Sequence, residues 1–146
     1  MSTQFFGHII DNEEVETISG ERFDVWNPWT QEVFAQAAEG GAEDAERAIA
    51  SARKAFDEGP WPRMTHPERA AAIHKLADLM EERAGELATL DSTNMAKPFA
   101  QAKHDVGRSV ANFRFFADHQ RDHTGEVYPM PSGHHTYSEF GPAGVV

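Results

Sequence analysis

Thr65-His-Pro-Glu-Arg-Ala-Ala-Ala-Ile-His-Lys-Leu-Ala-Asp-Leu-Met80 carries the clearest start signal in the chain. Thr65 and Glu68 have the S/T-x-x-E spacing of a capping box, and Pro67 falls in the first turn, where its missing N–H costs nothing. Ile73, Leu76, Ala77 and Met80 recur at helical spacing and are expected to form a buried face. Gly85 permits a bend, after which Leu87 and Leu90 carry the apolar face on to about Met95.

Upstream, Gly40-Gly41 precede a helical run from Ala42 to about Asp57. Glu43, Asp44 and Glu46 crowd its first turn, where the helix dipole favours negative charge. Ala45, Ile49, Ala52 and Phe56 make a narrow apolar stripe, and Gly59-Pro60 end the run. Downstream, Pro98 opens a third long helix that should reach roughly His123, with Gly125 as its stop. Phe99, Ala102, Val106, Val110, Phe113 and Ala117 follow the same spacing. Phe115 and Phe116 widen the stripe, which implies cover on more than one side.

Strands bracket this helical block. His8 to Ile10 and Glu14 to Glu16 flank Asp11-Asn12, residues that tolerate the positive φ of a tight hairpin turn. Arg22 to Trp26 alternates in the strand manner and ends at Asn27-Pro28; a further strand is expected near Val33 to Ala37. After Gly125, Glu126 to Met130 and His134 to Phe140 read as two strands around Pro131-Ser132-Gly133. The order predicts an α+β chain: an N-terminal hairpin, three or four helices and a C-terminal strand pair. Gly141-Pro-Ala-Gly-Val-Val146 reads as the opening of a buried parallel strand, which implies that the chain is cut off there.

Composition limits the function classes. The 146 residues suffice for one domain with a core. A formal net charge of -11 repels phosphate backbones and anionic lipid heads, so neither nucleic acid nor a membrane surface is an expected partner. Asp11, Glu13, Glu14, Glu16, Glu21, Asp24, Glu32 and Glu39 face only Arg22 in the early part of the chain, as a solvated acidic surface. With no secretory leader and no long apolar run, the cytoplasm is the expected compartment.

There is no cysteine, hence no disulfide, no zinc–thiolate site and no thiol nucleophile. Neither Gly40-Gly41 nor Gly141-x-x-Gly144 supplies a G-x-G-x-x-G turn, and neither a phosphate-binding G-x-x-x-x-G-K nor a G-x-S-x-G elbow is present. His119 and His123, i and i+4 near a helix end, could face one cation with His134-His135 nearby. The ligand set is incomplete, however, and imidazoles there are favoured by the dipole alone. No residue is assigned a catalytic, cofactor-binding or metal-ligating role.

In order, the segments resemble the start of the aldehyde dehydrogenase superfamily over essentially the whole chain. The resemblance lies in Gly7-His-Ile-Ile-Asp-Asn-Glu-Glu-Val15, Ser19-Gly-Glu-Arg-Phe23, Asn27-Pro-Trp-Thr-Gln-Glu-Val33 and Ala48-Ile-Ala-Ser-Ala-Arg-Lys-Ala-Phe56. It continues in Trp61-Pro-Arg-Met64, Glu68-Arg69, Leu76-Ala-Asp-Leu79, Glu86-Leu-Ala88, Lys97-Pro98, Phe116-Ala117, Gly125-Glu126 and Gly141-Pro-Ala-Gly-Val-Val146. Each motif alone is weak; the ordered set is specific. Phe113-Arg-Phe-Phe-Ala-Asp118 and His135-Thr-Tyr137 look most similar to the branch acting on semialdehydes from aromatic-ring degradation.

The resemblance implies an α/β Rossmann-like parent fold. Residues 1–125 would be the N-terminal part of its nucleotide-binding domain, 126–140 an arm pairing with a neighbouring subunit, and 141–146 the start of the first nucleotide-binding strand. Glu126, Val127, Tyr128, Thr136, Tyr137 and Phe140 would be the arm residues of a homo-oligomer. It also implies NAD or NADP as cofactor and an aldehyde as substrate. A cysteine thiolate would attack that aldehyde, hydride would pass to the nicotinamide, and a glutamate would activate water.

None of those catalytic positions matches a residue here, so this chain alone is expected to bind no cofactor and to be inactive. Some members hold a monovalent cation with an acidic residue matching Asn94 and a backbone carbonyl at Val25, and here the acid is a neutral amide. Ala96 and Gln31 stand where the family has turn glycines. A different class of reading, a self-sufficient helical module associating through Phe113–Phe116 and the terminal strands, remains open on sequence alone.

Overall fold

The computed structural model describes residues 4–120 and 124–146. Strands β1 (Gln4–Phe6), β2 (His8–Ile10), β3 (Glu13–Val15), β4 (Arg22–Asn27) and β5 (Glu32–Ala38) come first. Helices α1 (Ala42–Glu58), α2 (His66–Glu82), α3 (Ala84–Met95) and α4 (Phe99–His119) follow, with one 3-10 turn at Trp61–Arg63. Strands β6 (Val127–Tyr128) and β7 (Thr136–Tyr137) close the described chain.

The hairpin forms as its sequence requires. β2 pairs antiparallel with β3, and Asp11 and Asn12 sit at φ 54° and 64°, the two positive values of a primed turn. β5 is the centre of a second sheet, antiparallel to β4 and parallel to β1. β1 has no local signal, because its partner lies about thirty residues away and a parallel ladder leaves no turn to read.

Helix α2 starts at the expected cap: the Thr65 N–H donates to Glu68 Oε2 at 2.7 Å and its hydroxyl to the same oxygen at 2.8 Å. These bonds hold the Glu68 carboxyl below its usual range. The expected bend at Gly85 is a break just before it: Arg83 leaves helical geometry at φ -98°, ψ 16°, and Gly85 lies inside α3. The third long helix ends at His119, short of the expected His123, which lies outside the described residues. Gly125 therefore does not cap it.

The core takes the small members of the expected α2 and α4 stripes, Ala77, Ala102, Val110 and Ala117, and leaves most of the large ones outside. Its helical members are Ala70, Ala77, Ala88, Ala102, Val110 and Ala117. α4 packs on α2 and α3, and α3 reaches β4. Small side chains let helices approach closely, which pushes the larger ones to the flanks. Ile73 and Met80 are accordingly half-buried and Leu76 is 41% exposed. The implied cover over Phe115 and Phe116 is absent among the described residues, where they are 61% and 63% exposed. The α1 stripe also lies open: Ala45, Ile49 and Ala52 are exposed, Phe56 is half-buried, and Asp44 is the buried residue of that helix.

Asp44 does more than meet a helix dipole. Its carboxylate accepts from the Gly41 N–H and from the Ile18 N–H, each at 3.1 Å, which caps α1 and ties it to the loop between β3 and β4. Arg114 of α4 bridges Asp78 and Glu81 of α2 at 2.7 Å each, so that helix pair is also clamped at its surface.

Candidate functional site

Of the expected arm residues, Glu126, Val127, Tyr128, Thr136 and Tyr137 come together in one short hairpin. Val127 pairs with Tyr137 and Tyr128 with Thr136. Beyond the ladder, Glu126 accepts from the Ser138 N–H at 2.9 Å and donates its own N–H to Ser138 Oγ at 2.9 Å. The Tyr128 hydroxyl donates to Glu126 Oε2 at 3.0 Å. A Cβ on Gly125 would lie 1.9 Å from the Ser138 carbonyl oxygen, so only glycine permits this closure.

Both strands are two residues long, not the expected five and seven. Pro129 and Pro131 lack the N–H groups a longer ladder needs. Phe140 lies outside the ladder. Val127 is 77% exposed, and Tyr137 and Phe140 are exposed with it. A two-stranded ribbon this short is marginal in water by itself.

A second locus lies between the β4–β5 pair and α3. The β4–β5 register shifts between Val25 and Trp26, and Phe34 falls in the resulting bulge. Phe6, Val25, Phe34, Leu90, Asp91 and Asn94 line a cleft of about 320 Å³ there. Val25 and Asn94 thus meet as the resemblance implied, but the donors do not fit a monovalent cation. Asn94 contributes no charge, and Asp91 is held by Lys97 Nζ at 2.6 Å.

The same ammonium reaches Asp105 at 3.1 Å, joining the end of α3 to α4. Hydrogen bonds to Asp91 and Asp105 raise the Lys97 pKa, and the bond to Lys97 lowers that of Asp105. Ala96 adopts φ 53° and Gln31 φ 59°, so both turns keep the left-handed backbone despite lacking glycine.

Nothing among the described residues forms a dinucleotide cradle. Gly41 leads into α1, but the Asp44 carboxylate already occupies that helix start and would repel phosphate. Gly141 to Val146 joins no ladder among the described residues. No group of three metal-ligating side chains exists among the described residues. His134 and His135 are exposed in the turn of the arm, apart from His119, and His123 is not described. Sequence reasoning missed the long-range role of Asp44 and the Lys97 bridge, and neither partner set follows a local spacing.

Comparison with known proteins gives one answer. The model of the aldehyde dehydrogenase family matches residues 15–146. A mitochondrial benzaldehyde dehydrogenase of Antirrhinum majus is 38% identical over 99% of this chain and 27% of its own length. Aldehyde dehydrogenase 1 of Tanacetum cinerariifolium is 41% identical over 94% of this chain and 28% of its own length. The NAD+ complex of an aldehyde dehydrogenase from Bacillus cereus superposes with a TM-score of 0.87 at 37% identity, covering 92% of this chain and 28% of that one. The chain therefore spans little more than a quarter of the relatives it matches. These matches give no support to a self-standing association module.

Proposed function

This chain belongs to the aldehyde dehydrogenase family, and from that premise we propose that it is the N-terminal portion of an NAD(P)-dependent enzyme that oxidises an aldehyde or semialdehyde to a carboxylic acid. Within that enzyme, residues 1–125 act as the scaffolding N-terminal part of the nucleotide-binding domain, and Glu126, Val127, Tyr128, Thr136, Tyr137 and Phe140 act as an arm in a homo-oligomer. The observation that carries this reading is the family match over residues 15–146 in a segment with no cysteine. The covalent adduct with the aldehyde needs a thiolate, so the chemistry belongs to other parts of the polypeptide.

Titrating the 146-residue protein with NAD and with NADP should give no saturable binding, and no aldehyde should be oxidised. A reading frame extended to the length of the relatives should reduce the nucleotide; turnover by the short chain overturns the proposal. For the arm, light scattering of the short chain should report dimers or larger species. Val127→Lys with Tyr137→Lys should shift them toward monomer, since charge on an exposed edge blocks strand addition. A wild type that stays strictly monomeric counts against the arm.

No helix among the described residues is long and apolar enough to cross a membrane. We place the enzyme in the cytoplasm, and a fluorescent fusion of the extended reading frame that collected in an organelle would refute that placement.

A further inference from the structure

We infer that the cleft between the β4–β5 pair and α3 is served by a tethered cation, the Lys97 ammonium, and takes no free potassium or sodium ion. This goes beyond the aldehyde-oxidising reading and holds whichever aldehyde the enzyme takes.

The backbone delivers that ammonium. Ala96 at φ 53° reverses the chain at the end of α3, and the Ser92 hydroxyl donates to the Lys97 carbonyl at 2.7 Å, which fixes the turn. Lys97 Nζ then meets Asp91 Oδ2 at 2.6 Å and Asp105 Oδ2 at 3.1 Å. Two carboxylates from two helices thus converge on one nitrogen. The three side chains are only 22–29% exposed, so water screens the cluster in part. An ammonium group and a potassium ion are similar in size and charge, and both seek oxygen partners. The nitrogen sits where a bound ion would.

The charges there already balance. Arg108 Nη2 lies 3.3 Å from Asp105 Oδ1, so Asp91 and Asp105 face Lys97 and Arg108, two charges of each sign. An acid at the position of Asn94 would add a surplus negative charge for an ion to meet; the neutral amide adds none. The remaining walls of the cleft of about 320 Å³, Phe6, Val25, Phe34 and Leu90, have hydrocarbon side chains. With Asp91 already neutralised by Lys97, a free cation would shed its water and gain no unpaired carboxylate in return, which is a net cost.

The test compares thermal midpoints of the 146-residue protein, by circular dichroism, in potassium chloride and in choline chloride at equal ionic strength. Choline is bulky and has no N–H, so it cannot stand between two carboxylates as a small ion can. The wild type should melt at the same temperature in both salts. Lys97→Met leaves Asp91 and Asp105 converging on no cation. Its midpoint should fall in choline and rise by about 3 °C or more in potassium, the shift given by an ion present at several times its dissociation constant. Methylammonium chloride should rescue it likewise, since it returns the missing group from solution. Asn94→Asp keeps the Lys97 bridge and supplies the surplus charge, so it too should melt higher in potassium.

A wild type stabilised by potassium overturns the inference, because the cleft then takes a free ion. So does a Lys97→Met protein that folds and melts alike in the two chlorides. If Lys97→Met is unfolded in choline, recovery of its helical signal in potassium supports the tethered cation. Should it stay unfolded in every salt, Asn94→Asp decides: a protein indifferent to potassium overturns the charge balance, and a responsive one supports it.

Discussion

Replacing Asp44 by alanine should cost about 2–3 kcal/mol of folding stability, more than a helix-dipole role allows. Asp44 is 5% exposed and its carboxylate takes two backbone N–H groups, Gly41 at 3.1 Å and Ile18 at 3.1 Å. Loss of the cap at Gly41 is worth about 1 kcal/mol, because water can partly replace the acceptor at an exposed helix start. Loss at Ile18 leaves a part-buried donor without its partner, worth about 1–2 kcal/mol. Arg47, 3.7 Å away and half exposed, adds little. A pure dipole contribution would be only about 0.3–1 kcal/mol. Asp44→Asn, which keeps one acceptor oxygen, should fall near 1 kcal/mol on the same arithmetic.

Urea denaturation followed by circular dichroism reads the difference. Hydrogen exchange at the Ile18 amide reads the cause, since only the tether predicts faster exchange there. The tether is refuted by an Asp44→Ala change below about 1 kcal/mol with Ile18 protection intact, which is the dipole-only outcome.

Ala96 at φ 53° and Gln31 at φ 59° hold left-handed backbone that costs a non-glycine residue about 1 kcal/mol. Ala96→Gly and Gln31→Gly should thus be neutral to stabilising by up to about 1 kcal/mol after the unfolded-state entropy of glycine is subtracted, and Ala96→Val should destabilise; urea midpoints measure both. Asp105 and Glu68 both titrate below their usual range, so their contributions are full above the ordinary carboxylate pKa and are lost as pH falls through the lowered value. Asp105→Asn and Glu68→Gln should therefore flatten the acid limb of a stability–pH profile. Lys97, raised by Asp91 and Asp105, contributes fully below the ordinary lysine pKa and loses its contribution only as pH climbs through the raised value, so Lys97→Met should flatten the alkaline limb. Asn94→Asp should make the thermal midpoint higher in potassium chloride than in choline chloride, while the wild type should not distinguish the two salts.

Local chemistry determined much of this protein. Asp11-Asn12 can hold two positive φ values where few other pairs can, so the first hairpin followed from two residues. Thr65 and Glu68 announced α2 through a bond spanning three positions, and Gly59-Pro60 closed α1 where it was expected to close. The family was legible for the same reason, as an ordered series of short motifs each tied to a turn, a cap or a helix face.

Tertiary structure decided which residues of each apolar face became core. Periodicity put Leu76, Phe99 and Phe113 on the same faces as Ala77, Ala102, Val110 and Ala117, yet only the latter four are buried, because the smaller side chains sit at the closest approach of the packed helices. The parallel pairing of β1 with β5, the reach of Asp44 to Ile18 and the span of Lys97 from Asp91 to Asp105 also needed three dimensions. These partners meet only after the chain has folded back on itself, and spacing along a polypeptide does not encode distances across one.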